Sequence, residues 1–176
     1  MTRIFIMFIL FFTVMTPVTH AQLVQISDLT PAAFYSQMNQ ALRASFTDSN
    51  NTNSFEPLSK GITMSADADY IAYMTGLKNG RYGAVVTLYA NRAGYVSKVT
   101  VASLDDDKNA FQANLLSCYV IMRAVGLTEA ETQQLISNSN QATSSIWCSR
   151  SNRRIIFSMN KQQPNIAYMR FLAADK

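Results

Sequence analysis

A serine followed three places later by a lysine is the spacing of serine-lysine acyl enzymes, and Ser158-Met159-Asn160-Lys161 has it. That chemistry needs the serine at a helix N-terminus, with the lysine one turn on as its base. These four residues instead end a strand-like stretch, where positions 158 and 161 point to opposite faces. The Ser-Asp-Asn and Lys-Thr-Gly partners of such enzymes are missing as well, so the match reads as coincidence. Two carboxylate groups come next. Asp67 and Asp69 would suit a glycosidase if held about 5–10 Å apart. Asp105, Asp106 and Asp107 invite weak calcium binding but lack the glycine and distal glutamate of an EF-hand loop. Turn solvation and helix capping account for both groups. Gly76, Gly80 and Gly83 have the wrong spacing for a phosphate-binding loop.

The single histidine is His20, inside a segment with the grammar of a secretory leader. Arg3 supplies its positive start, and Ile4 to Val14 is apolar apart from Thr13. Pro17 breaks the run, and Thr19-His20-Ala21 offers a small-residue cleavage site. The apolar run is about eleven residues, well short of the roughly 20 that span a bilayer. Residues 1–21 are therefore expected to be cleaved, leaving 22–176 as a secreted single domain with no transmembrane anchor. Such a chain holds no histidine, which excludes Ser-His-Asp and Cys-His mechanisms and His-ligated zinc. No catalytic, cofactor-binding or metal-binding residue is assigned.

Fifteen basic and eleven acidic residues give a net charge of +4, and losing Arg3 with the leader leaves +3. This is mild, and far from the signature of a nucleic-acid binder. The basic residues do cluster. Arg150, Arg153 and Arg154 flank an expected hairpin turn, with Lys161 and Arg170 on neighbouring strands. Together they form the best candidate for a partner-binding site, an anion-recognition patch. The plainer reading is a solvated turn whose charges protect a sheet edge. The two cysteines, Cys118 and Cys148, are expected to form one disulfide in an oxidising compartment. Eight tyrosines lie beyond the leader. Tyr70, Tyr73, Tyr82, Tyr89 and Tyr95 crowd one region, where they suit either an interface or a strand.

The elements that must position these residues can be read from spacing. Thr30 and Pro31 start a helix whose face is Phe34, Met38, Leu42 and Phe46. A polar loop, Thr47 to Ser54, follows. A meander of four strands comes next: around Ile62 and Met64, then Tyr70 to Leu77, Tyr82 to Ala90, and Tyr95 to Ser103. Asn79-Gly80 turns one pair, and Asn91 to Gly94 the next. The second and third strands are apolar on both faces, which places them centrally. The fourth alternates, so one of its faces should meet water. After the aspartates a second helix carries the stripe Phe111, Leu115, Cys118, Met122 and Val125, and ends at Gly126. Thr128 and Glu131 form a capping box for a short third helix, to about Ser137. Three strands close the chain: Ser144 to Arg150, Arg153 to Asn160, and Ile166 to Ala173. The expected class is α+β, an antiparallel sheet with helices packed on one face.

In outline this order resembles small adaptor and chaperone folds in which a helix packs on an antiparallel sheet. No motif identifies a family, and architecture does not fix function. The expected function is that of a non-enzymatic binding protein in the periplasm or outside the cell. It would act on a protein partner in the envelope, as an inhibitor or immunity-type protein does. A small-molecule or lipid carrier, a carboxylate hydrolase and a structural envelope component are the alternatives.

Overall fold

The computed structural model of the chain describes residues 23–45, 58, 62–64, 69–79, 82–103, 108–138, 143–163 and 166–174. The leader, Phe46, the 47–54 loop, Asp67 and Asp105 to Asp107 lie outside them. Among the described residues three helices form, each within the stretch that spacing predicts. The first, α1, is Pro31–Ser45. The Thr30 hydroxyl accepts a bond from the Ala33 N–H at 3.4 Å, and its carbonyl accepts one from the Phe34 N–H at 2.8 Å. Phe34, Met38 and Leu42 are buried along one side, with Tyr35 beside them. The second, α2, is Lys108–Val125. It buries Cys118, Ile121, Met122 and Val125, leaves Leu115 of the expected stripe 44% exposed, and stops at Gly126, whose φ is 105°. There the Gly126 N–H bonds the Arg123 carbonyl and the Leu127 N–H bonds that of Met122, the paired bonds of a glycine-terminated helix. The third, α3, is Glu129–Ser137, with both halves of the Thr128–Glu131 capping box formed.

Among the described residues eight strands make one antiparallel sheet. They are β1 (Leu23–Val24), β2 (Ile62–Met64), β3 (Tyr70–Asn79), β4 (Tyr82–Asn91), β5 (Val96–Ser103), β6 (Thr143–Cys148), β7 (Arg153–Gln163) and β8 (Ile166–Ala174). The order is β2-β3-β4-β5-β8-β7-β6, and β1 pairs with the end of β8. The class is thus α+β. Two expectations change. Asn79 pairs with Tyr82 and so belongs to the strand rather than to the turn. The centre of the sheet is also not β3 and β4 but β5, because β8 enters between β5 and β7.

Register sorts the strand residues onto two faces, since partners across an antiparallel ladder point the same way. One face carries Leu77, Val86, Leu88, Val99, Val101, Met169, Phe171, Ile155 and Phe157, all buried. A bulge opposite Tyr89 and Ala90 leaves Ser97 as an extra residue, so that Val96 and Val99 both reach this core. Phe157 and Phe171 face each other across β7 and β8, with ring centroids 5.0 Å apart. The second face holds Tyr70, Met74, Val85, Thr87, Tyr89, Lys98, Arg170, Leu172, Arg154, Ile156 and Trp147, none of them buried, and the smaller Thr100 and Ala174, which are buried beneath their neighbours. Phe171 is fully buried at the junction between β5 and β7. Phe171→Ala should therefore cost about 3–5 kcal/mol in urea unfolding, against under about 0.5 kcal/mol for the exposed Ser145→Ala.

The expected disulfide is not formed: Cys118 and Cys148 are both free and buried. Register gives the reason. The Cys118 sulfur sits 3.2 Å from that of Met169, on β8. Cys148 pairs with Arg153, and Arg154 with Ala174, so Cys148 lies two strands away and level with the end of β8. That offset is about 10 Å across the strands and about 20 Å along them, far beyond a disulfide's reach. Burial pushes the Cys118 thiol up to about 12, which makes it an inert core group. Alkylation after unfolding without reductant should add label to both cysteines, as read by intact mass. An unlabelled, oxidised pair would contradict this arrangement.

Candidate functional site

The arginine turn does not form one patch. Arg153 lies on the buried-face side of β7, its side chain only 16% exposed, and its Nη2 contacts Asp28 Oδ1 at 2.7 Å. Gln25 Nε2 bonds the same oxygen at 2.6 Å, while Gln25 Oε1 accepts from Asn91 Nδ2 at 3.1 Å. The hydrogen bonds from Arg153 and Gln25 hold the Asp28 carboxyl below its ordinary value, against a small opposing effect of burial. This chain of contacts ties the segment before α1 to the β4–β5 turn and to β7. Arg153 is thus a structural residue. Arg154, one place on, must point to the second face, where it pairs across the ladder with Trp147. Arg170 is exposed on the same face, between Thr100 and Ser158. It lies four residues along from the level of Arg154, about 13 Å. Arg150 is exposed in the β6–β7 turn, its stem against Gly126. The side chain of Lys161 lies outside the described residues.

The turn that carries Arg150 is held by Glu131. Its Oε2 accepts the Thr128 N–H at 2.6 Å, and its Oε1 accepts the Ser149 N–H at 3.1 Å and the Ser149 hydroxyl at 2.9 Å. One carboxylate therefore serves both the start of α3 and the end of β6. Burial acts to raise its pKa, but the bonds from Thr128 and Ser149 outweigh it and hold it at about 2 against an ordinary 4.5. Because the unfolded chain takes up this proton first, the stabilisation is complete above pH 4.5 and is lost as pH falls towards 2. Glu131→Gln should flatten the acid limb of stability against pH over that window. In the same assay Arg153→Ala should cost about 1–3 kcal/mol, since a charge-assisted bond and a mostly buried stem are lost. Arg154→Ala should change stability by under about 0.5 kcal/mol.

The second face gathers groups that sequence reasoning did not bring together. Lys98 on β5 lies opposite Tyr89 on β4, and its Nζ sits 3.9 Å from the centroid of that ring. Tyr70 on β3 reaches the same ammonium, at 5.6 Å. A cation over aromatic faces is attracted by the ring quadrupole. Arg170 is the diagonal neighbour of Lys98 on the next strand, and hydroxyls cross the face along Thr87, Thr100 and Ser158. No position of this face among the described residues is Asp or Glu. The described carboxylates lie elsewhere: Asp28 meets Arg153, Asp69 meets Arg92 at 3.4 Å on the exposed surface, and Glu129 and Glu131 belong to α3. The signal for Lys98 was present in the alternation of the fourth meander strand. What was missing was the register that sets it against Tyr89.

The remaining candidates do not assemble. Ser158 lies within β7 rather than at a helix start, so the Ser-x-x-Lys geometry is not built. Asp69 keeps company with an arginine, and its sequence neighbour Asp67 lies outside the described residues. Among the described residues no cluster of His, Cys, Asp and Glu could hold a metal ion, and no helix is long and apolar enough to cross a membrane. Tyr73 belongs to the buried face, where its carbonyl accepts the Tyr35 hydroxyl at 3.0 Å, while Tyr95 is exposed in the β4–β5 turn. Comparison with protein-family models, curated proteins and solved structures finds no match.

Proposed function

We propose that this chain is a secreted, non-enzymatic binding protein that works through a protein interface, in the manner of an inhibitor or immunity-type protein. The observation that carries the reading is the difference between the two faces of the sheet. The reading takes the helices to cover the face of Val86, Val101 and Phe171, and the Cys118–Met169 and Tyr35–Tyr73 contacts support it. The other face keeps Tyr89, Trp147, Met74, Arg154 and Arg170 partly or fully open to solvent. Interface centres are rich in Tyr, Trp, Met and Arg and poor in Asp and Glu, and this face has that composition. The leader-like segment and the lack of histidine after residue 20 support the secreted and non-enzymatic parts of the reading.

The test is recovery of the tagged full chain from its own host after brief cross-linking, with the product sized and identified by mass spectrometry. The expected result is one protein in fixed stoichiometry, in the fraction outside the cytoplasm. Recovery of the chain alone from that fraction, across growth conditions, would count against a protein partner.

A further inference from the structure

We propose that the second face of the sheet docks an acidic protein surface, with Lys98, Arg170 and Arg154 as its cationic contacts and Tyr89 and Trp147 as its aromatic ones. This rests on the protein-binding reading above and names the partner's chemistry. Charge favours such a partner. Lys98, Arg154 and Arg170 stand on three adjacent strands, β5, β7 and β8, with no carboxylate among the described positions of the face. The chain's other described ion pairs, Asp28 with Arg153 and Asp69 with Arg92, lie off it. A face of one sign attracts the other sign and resists a second copy of itself, so self-association through it is disfavoured.

The size and composition of the face favour it too. Seven strands at about 4.8 Å spacing make a face about 30 Å wide, and strands of this length run about 25 Å. The resulting area, roughly 700 Å², is close to the ~800 Å² per partner of a stable protein complex. The apolar groups among and beside the cations, Ile156 and Leu172 on β7 and β8 and Met74 and Val85 on β3 and β4, are half-buried by their neighbours, and a further layer of protein would complete that burial. A nucleic-acid strand would call for denser positive charge along a track. A lipid surface would call for apolar side chains that project further than these. Lys98 is already poised by Tyr89 and Tyr70, so little rotamer freedom is lost when it meets a carboxylate.

The experiment places a photo-cross-linking amino acid at Thr87 or Ser145, on this face, and at Gln37 or Gln40, on the exposed side of α1, in the full chain expressed in its host. The proposal expects capture of one protein from Thr87 and Ser145, through a peptide rich in Asp and Glu. Capture should fall about tenfold with Lys98→Glu and Arg170→Glu together, and also fall in high salt. The neutral pair Lys98→Met and Arg170→Gln gives the same test if charge reversal disturbs folding, which circular dichroism reports. Capture that ignores charge and salt, or that lands on a segment without acidic residues, overturns the acidic-partner assignment and leaves the binding reading standing. Capture from Gln37 or Gln40 alone overturns the choice of face. Capture from no position overturns both. Lys98-dependent binding of a 20-nucleotide DNA or of phosphatidylglycerol vesicles by the purified chain, with no protein captured, reassigns the face to those anions and ends the protein proposal.

Discussion

Everything in this molecule hangs on β8. It pairs with β5 on one side and β7 on the other, and its end also receives β1. Without it there are two separate pieces, a meander of β2 to β5 and a hairpin of β6 and β7, each with an unsatisfied backbone edge. The side chains of β8 follow the same logic. Met169 and Phe171 bridge the two halves of the core, with Val101 and Val99 on one flank and Met159 and Phe157 on the other. Backbone pairing and apolar burial therefore depend on the same nine-residue strand.

That dependence explains what the chain discloses when read alone. The helices were legible because 3.6-residue spacing and caps are local: Phe34, Met38 and Leu42, Thr128 with Glu131, and Gly126 each announce themselves within a few residues. The strands were legible for the same reason, within three residues at their ends, the largest miss being β7, which runs on past Asn160 to Gln163. The pairing of β5 with β8 was not, because nothing near Val99 states that Phe171 will lie beside it. The misjudged centre of the sheet follows from that gap, and the expected disulfide from the equally distant register of β6, β7 and β8. Cys118 and Cys148 looked joinable on a helix and a strand without register, and register sets them far apart. The two-residue β1 carries too little pattern to be found from sequence.

The arginines teach a related lesson about adjacency. Arg153 and Arg154 are neighbours in sequence, and a strand sends neighbours to opposite sides. One became a partner of Asp28, holding the N-terminal segment, and the other joined Trp147 on the open face. The alternation was available at the outset, but a cluster of like charges suggests a patch more readily than a division of labour. Lys98 made the opposite impression, a single lysine in a strand, and only pairing set it over two tyrosines.

The position of β8 in the chain has a consequence for how the protein is made. β8 leaves the ribosome after every other described element, and pairings that span so much chain are slow to close. Until it docks, the nascent protein is two incomplete sheets whose bare edges are templates for the wrong partner. A stop codon at position 165 would therefore do more than shorten the chain. It would remove the seam, leaving a chain with most of its apolar residues and no way to enclose them.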